Sequence, residues 1–507
     1  MTSMLTRRSL LKTAGAAGAA AAGTFAAAPA LAKRNSTLPA KWDKTVDVLV
    51  VGTGFAGLAA GIEAHDSGAK NVLIIEKLAF PGGNSAINGG DLAVPGTEMQ
   101  AKLGIKDSPE LLYQDMLKAG GYINQPALCK KVAYSAMDNF KWCRDYLGVN
   151  FWRVNYHGGH AVKRAHQTKE ISGSGIIMPM LSKLEAQKVP VQVNTKLEEI
   201  YVVDNQVKGV RVRENFRFPD AKSGKVKNIR VTRGLVLATG GFSQNVQMRK
   251  LQDPRLDEKV TSTNMPGAQG EGIQCAQMVG AIDVHMDWIQ CGPWTSPDEE
   301  GFGLIPQFCE YVIGYGLMVD PATGKRFFKE TGNRKERADA IFKIGHPVLI
   351  LADETNTKKQ VAQQKIDGAL KNGALKKFNT LDELAAYYKM PAAAFKEQVA
   401  RWNGFVKDCK GKTDPDLGCR VFEDAAENVT PPFYCARLWP RVHHTMGGLA
   451  INEKAEVLNA WFKPIKGLYA AGEVTGGVHG MVRLGSLAGQ DCITFGREAG
   501  RNAAKNA

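Results

Sequence analysis

Apolar residues first gather in Val46-Asp47-Val48-Leu49-Val50-Val51, a β-branched run that stops at Gly52. It predicts a strand buried on both faces of a parallel sheet. Residues 56–67 carry a helical pattern, and Asn71-Val72-Leu73-Ile74-Ile75 is a second apolar run ending at Glu76. Strand, glycine turn, helix and strand make one βαβ unit. Further strands are expected at 191–193, 199–203, 207–212 and 231–236, the last running into Leu237-Ala238-Thr239-Gly240-Gly241. From about Asp287 to His443 the pattern shifts toward Pro, aromatics and mixed helices, with helices expected over 381–388 and 392–407. Strand and glycine then return in Gly467-Leu468-Tyr469-Ala470-Ala471-Gly472-Glu473.

The turn inside the βαβ unit is Gly52-Thr53-Gly54-Phe55-Ala56-Gly57, a G-x-G-x-x-G in its proper place between strand and helix. The first glycine allows the tight turn, the second lets backbone approach a pyrophosphate, and the third packs helix on strand. Glu76 follows Gly57 by 19 residues, where a carboxylate would accept from a ribose hydroxyl. A second glycine-rich loop, Pro81-Gly82-Gly83-Asn84-Ser85-Ala86-Ile87-Asn88-Gly89-Gly90, would set amides and small polar groups around a flavin. The late Ala471-Gly472-Glu473 would close over the same cofactor. The fold class is therefore α/β: a Rossmann-like FAD-binding domain built from two chain segments, 43–286 and 444–507, with an inserted α+β capping domain at 287–443 and a linker at 33–42.

Glycine numbers 54 in 507 residues, near 11% against about 7% in average proteins, without a collagen period. The chain has 65 Lys+Arg and 50 Asp+Glu, a formal charge of +15. Thr6-Arg7-Arg8-Ser9-Leu10-Leu11-Lys12, an Ala/Gly stretch and Pro29-Ala30-Leu31-Ala32 have the order of a twin-arginine export signal at 1–32. Its removal would leave +12 in a periplasmic protein. No Lys/Arg run with interleaved aromatics points to nucleic acid, and no run of about 18 apolar residues points to a membrane span. Nine cysteines form no C-x-x-C pair, so spacing supports no metal, iron–sulfur or covalent haem site. Cys409 and Cys419 are the one pair close enough in sequence to suggest a disulfide.

Val442-His443-His444-Thr445-Met446-Gly447-Gly448-Leu449, Ala471-Gly472-Glu473-Val474-Thr475-Gly476-Gly477-Val478-His479-Gly480 and Arg483-Leu484-Gly485 resemble the flavoprotein subunits of periplasmic fumarate reductases, the flavocytochrome c group. The resemblance runs from Asp47 to about Ala499. It implies non-covalent FAD, held by Gly52, Gly54, Phe55, Ala56, Gly57, Glu76 and Lys77, by Gly82, Gly83, Asn84, Ser85, Asn88, Gly89 and Gly90, by Thr239, Gly240, Gly241 and Glu271, and by Gly472, Glu473, His479, Ser486 and Leu487. It implies hydride transfer to the β-carbon of an unsaturated carboxylate, with an arginine protonating the α-carbon. Gly324-Lys325-Arg326-Phe327 matches the family's Gly-x-Arg-Phe segment, which assigns that proton to Arg326. His444 and Arg483 match the carboxylate clamp, and His443 is read as a structural neighbour.

The family's Gln-x-His-Pro segment reads Gln290-Cys291-Gly292-Pro293-Trp294 here, with Gly292 in the histidine's place. Its Thr-Glu pair has no clean counterpart in Pro306-Gln307-Phe308-Cys309-Glu310-Tyr311, where Glu310 remains as a relay candidate. Gly292, Trp294, Phe308, Tyr311 and Tyr315 make the far wall small, aromatic and neutral, with Gly485 beside the clamp. An unpaired second carboxylate in a closed site costs about 1–3 kcal/mol or more, so a monocarboxylate (acrylate, methacrylate, urocanate- or cinnamate-like) is expected ahead of fumarate. Electrons are expected from a separate periplasmic c-type cytochrome in anaerobic respiration. Fumarate reductase proper, a dehydrogenase of the 3-ketosteroid type, and a flavin electron carrier are the competing readings. His157, His160 and His166 form no pattern of a flavin tether; with Arg164 they are expected to lie in a solvated loop or, second to that, to line the access channel.

Overall fold

The structure, a computed structural model, describes residues 35–506; the export segment expected at 1–32 lies outside them. β1 (Lys44–Val51) is parallel to β2 (Val72–Ile75), joined by α1 (Phe55–Asp66). β3 (Lys225–Leu237) flanks β1 on the other side, and the returning strand Pro464–Ala470 lies parallel to β3. Their registers pair Val51 with Ile75, Val51 with Leu237, and Leu237 with Ala470. All four strands thus end together, and the segments after them, Gly52, Glu76, Thr239-Gly240 and Gly472-Glu473, meet at one edge of an eight-stranded sheet. Such an edge, outside the carboxyl ends of parallel strands, is where α/β sheets bind ligands.

Small residues set the spacing. α1 is buried at ten positions, Phe55 to Ala64, because the sheet lies on one side and the C-terminal helix Leu487–Lys505 on the other. A side chain at Gly496 or Gly500 would strike the backbone of Ala56 or Ala60. The predicted linker is tied down where described: Ser36 N donates to Val202 O at 2.8 Å, and Trp42 stacks edgewise on Tyr201.

The second core gathers residues between Trp294 and Leu438, together with Tyr156. Its five-stranded sheet is antiparallel, ordered Lys325–Arg326, Leu317–Asp320, Val348–Ala352, Phe433–Leu438, Leu375–Phe378. Helices pack around it, among them Leu381–Tyr387 and Ala392–Asp408. A two-stranded ladder of β4 (Ile289–Gly292) and β5 (Arg441–Thr445) joins the two bodies. A third small sheet, Asp91–Ala93, Phe151–Asn155 and Ala165–Thr168, was not anticipated. Its strand Ala-His-Gln-Thr is fully buried yet carries no apolar pattern.

Among the described residues no helix is long and apolar enough to cross a membrane. Cys409 and Cys419 are both free, which corrects the expected bridge; Cys419 Sγ instead lies 3.6 Å from Thr331 Oγ1.

Candidate active site

A cleft enclosing about 950 Å³ opens at the edge where the parallel strands end. Gly52, at φ +109°, has no room for a side chain against Ala238 O, so only glycine supports this turn. A Cβ at Gly57 would strike the Gly52 carbonyl. Gly54 at the start of α1 has no side chain to cap it and no acid lies in its first turn; Phe55 N donates to Ser85 Oγ at 3.0 Å, so that helix end meets a neutral hydroxyl and remains suited to a phosphate. Glu76 accepts from Thr53 Oγ1 at 2.6 Å and from Leu78 N at 2.9 Å, fixing the carboxylate at the cleft. Lys77 Nζ bonds Glu271 at 2.6 Å and Gly267 O at 2.7 Å on the opposite lip. Thr239 Oγ1 is buried in the lining without a protein partner.

A second cleft of about 1010 Å³ adjoins the first; the two share Phe55, Asn84, Ser85, Glu473 and Cys492. The dinucleotide reading fits this continuous trough. Gly54, Ala56, Gly83 and Gly240 line the first cleft, Asn88, Gly89 and Ser486 the second. Gly57, Gly82, Gly90, Gly241, His479 and Leu487 lie behind the lining. Their role is spacing: a Cβ at Gly241 would meet Thr445 and Glu473, and His479 hydrogen-bonds Asp491 at 3.2 Å behind His444.

His444 and Arg483 both line the second cleft, as expected. Arg483 is 3% exposed; Nη1 donates to Leu484 O, and Nε has no partner. Burial, and then the nearby Arg334 guanidinium, pull its pKa well below the arginine range. Burial and Arg483 likewise keep His444 neutral. Glu473, 3.6 Å from His444 Nδ1, is pushed up to about 7 by burial.

The expected placement of Arg326 in the cleft is corrected. Arg326 does not line the cleft: its guanidinium lies over the Trp402 ring, bonded to Glu330 at 2.8 and 2.6 Å and to Asp414 at 3.0 Å. Burial works against its charge, but those carboxylates prevail and raise its pKa. Arg334, at the start of α3 (Arg334–Ile344), faces the cleft instead. It is buried, stands 5.2 Å over Trp294, and has an unpartnered Nε 4.0 Å from Glu310 Oε1. Burial lowers its pKa, Glu310 partly restores it, and Arg337 lowers it further. Glu310, the expected relay candidate, is on α2 (Ile305–Val312) and lines the cleft beside Arg334. Burial would raise it, yet Arg337, Arg334 and His157 hold it well below the carboxylate range.

The far wall is Trp294, Phe302, Pro306 and Tyr311. Gly292, Phe308 and Gly485 stand behind it; a Cβ at Gly292 would come within 2.9 Å of the Trp294 ring, so the indole fills the missing histidine's space. His443 lines the cleft beside His444 because β5 slips register: Gln290 faces His444, Cys291 faces Val442, and His443 is the extra residue of a bulge. The expected solvated loop is buried. His157, His160, His166 and Arg164 are 7, 4, 0 and 1% exposed, and His157 enters the cleft between Glu310 (3.4 Å) and Asp91 (3.9 Å). Arg334, Asp91, Phe302 and Asn264 were missed; Arg334 follows Asn333 in a capping box, a local pattern that reads as helix start alone.

The FAD binding domain family matches residues 47–488. An acrylate reductase flavoprotein subunit from Shewanella woodyi is 41% identical over 98% of each chain. A fumarate reductase (cytochrome) from Shewanella frigidimarina is 36% identical over 93% of this chain and 79% of its own. The open conformation of a flavocytochrome c3 fumarate reductase superposes with TM-score 0.72 at 32% identity, covering 100% of this chain and 82% of that one.

Proposed function

The chain belongs to the FAD binding domain family and is an FAD-dependent oxidoreductase, and from that premise we propose that it reduces the C=C bond of a small α,β-unsaturated monocarboxylate, acrylate being the leading candidate. The observation that carries this is the pair of buried arginines, Arg334 and Arg483, each with an unpartnered Nε in one cleft. Both guanidiniums are desolvated, and Arg334 further depresses Arg483; one anion between them relieves both.

Bound FAD supplies the hydride. Gly52, Gly54, Glu76, Lys77, Thr239, Glu271 and Glu473 hold it along the trough. Arg483 and neutral His444 bind the substrate carboxylate and stabilise the charge that develops on it. Arg334 donates the proton to the α-carbon, since it is the cleft arginine that stands beside a carboxylate able to resupply it, its Nε 4.0 Å from Glu310 Oε1; Arg326, locked by two carboxylates, is a structural ion pair. Glu310 resupplies Arg334. The aromatic wall and the acids Asp91 and Glu310 disfavour a second carboxylate. A steroid ketone offers nothing to the arginine pair, although a 3-ketosteroid dehydrogenase shares the fold at TM-score 0.70 and 25% identity.

The Arg7-Arg8 motif supports export to the periplasm by the twin-arginine route. The cytochrome named in the fumarate reductase relative and this chain's basic charge support a c-type cytochrome as electron donor. The test is anaerobic oxidation of reduced viologen by FAD-loaded protein across acrylate, methacrylate, urocanate, a cinnamate and fumarate. A monocarboxylate should give the highest kcat/KM; fumarate as best substrate refutes the pocket reading, and no turnover refutes the reductase reading.

A further inference from the structure

Gln307 is the third residue of α2, a helix buried at all eight of its positions, and it is itself only 6% exposed. Its backbone N–H is met by Leu304 O at 3.1 Å, but the side-chain oxygen Oε1 is buried without a hydrogen-bond partner. A buried acceptor left in this way costs stability. The carboxamide stands against the second glycine-rich loop: a Cβ at Gly89 would lie 2.8 Å from Gln307 Nε2 and 2.9 Å from Asp91 Oδ2. Glu310 follows three residues later on the same side of the helix, and both side chains line the second cleft together with Gly89 and Arg334. Arg334 Nε, Arg483 Nε and Trp294 Nε1 are orphaned donors in that cleft, which an anion can answer. Gln307 Oε1 is a neutral orphaned acceptor and needs a donor instead. An ionised unsaturated acid has none to offer, because a carboxylate only accepts and a hydrocarbon tail does neither. The flavin ring has two such groups: an N–H at N3 in both redox states, and an N–H at N5 in the reduced state alone.

We propose that Gln307 is a flavin-contacting residue whose side-chain oxygen accepts from N5–H of reduced FAD. The proposal rests on the reductase reading above, which sets hydride transfer beside Glu310 and Arg334 and so brings the N5 edge to the wall that Gln307 shares with them. Oε1 is answered only when the flavin is reduced, so Gln307 favours the reduced form and raises the midpoint potential of the bound cofactor. Two electrons from the external donor and one proton make the N5–H bond that Gln307 then holds. When the hydride passes to the β-carbon, that N–H bond breaks and a C–H bond forms; the acid is reduced, the flavin is oxidised, and Oε1 is orphaned again.

The experiment is a spectroelectrochemical titration of the FAD-loaded full chain without any unsaturated acid, comparing wild type with Gln307→Met and Gln307→Leu. Both variants keep an apolar side chain of similar bulk and lose the acceptor. The midpoint potential should fall in each by about 30 mV, a tenfold weaker preference for reduced flavin at two electrons, with FAD content and melting temperature near wild type. Thr239→Val is the control: it removes an orphaned hydroxyl in the first cleft, and its potential should equal wild type. An unchanged potential in FAD-loaded Gln307→Met and Gln307→Leu overturns the proposal. Weaker FAD binding with an unchanged potential overturns it too, because the amide then meets a group, such as N3–H, that both redox states carry. So does an equal fall in Thr239→Val, which marks an unspecific effect. Should one Gln307 variant fail to fold, the other decides; should both fail, Gln307→Asn, which withdraws the oxygen by one methylene, is read by the same criteria. Failure of wild type to reduce any unsaturated acid would sink the reductase reading while leaving these potentials measurable, so the two failures are told apart.

Discussion

Arg334 Nε lies 4.0 Å from Glu310 Oε1 in the wall of the substrate cleft, and eight residues earlier Arg326 is bonded to Glu330 and Asp414 outside it. Two arginines of one segment thus have opposite circumstances. One is desolvated with a spare donor; the other has its charge fully met by two carboxylates.

Replacing Arg326 should therefore damage the fold. Arg326→Gln leaves Glu330 and Asp414, both fully buried side chains, without their cation, at about 3–5 kcal/mol. Thermal melting and FAD retention should both fall, whereas Arg334→Gln should melt close to wild type with FAD bound.

Glu473 gives a pH signature in cofactor-free protein. Burial raises its carboxyl from an ordinary 4.5 to about 7. Stability from this group is present below about pH 4.5 and is lost as pH rises through 7, because the unfolded chain ionises first. The change is about 3 kcal/mol at most. Neutral His444 stands beside it, and Arg483 and Asp491 act on it, so the contrast between wild type and Glu473→Gln isolates the effect. The melting-temperature difference should favour wild type at pH 4.5 and the variant at pH 8; a constant difference would refute it.

Trp294 is expected to set the size of the acid. It stacks within 4.6 Å of His443 and 5.6 Å of Phe302 and takes the space next to Gly292. Trp294→Ala should raise kcat/KM for a cinnamate relative to acrylate about tenfold, in the range one pocket change supplies. An unchanged ratio places the substrate's tail elsewhere.

The contact between α1 and the C-terminal helix offers a packing test. Gly500→Val would drive two methyls into the Ala60 backbone. Overpacking of this kind costs about 1–3 kcal/mol, read as a lower denaturation midpoint, while Asn506→Ala, which removes one part-buried hydrogen bond to Arg233 O, should cost less.

The cofactor trough was legible because its signals are local. Gly52-x-Gly54 and Glu76 are spaced by one βαβ unit, and the four parallel strands bring Glu473 to them by register alone. His444 and Arg483 were legible for the same reason: each sits in a short dense motif. The acid was not. A Gly-x-Arg-Phe match put Arg326 forward, but its side chain is claimed by Asp414, 88 residues on, a pairing no local pattern reports. Arg334 and His157 reach the cleft from a helix start and from a polar buried loop. The bulge that turns His443 inward depends on the cross-strand slip between β4 and β5, which the β5 sequence alone does not contain.

The central claim is that Arg334, with Glu310 behind it and Arg483 opposite, protonates an unsaturated monocarboxylate. Its most direct test is single-turnover reoxidation of the prereduced FAD enzyme by acrylate, in wild type, Arg334→Gln and Arg326→Gln, at matched FAD occupancy. The account predicts a loss of about 10²- to 10⁴-fold in Arg334→Gln and a near-wild-type rate in whatever fraction of Arg326→Gln folds with FAD. Rapid reoxidation in Arg334→Gln, together with a dead but fully folded Arg326→Gln, would contradict it.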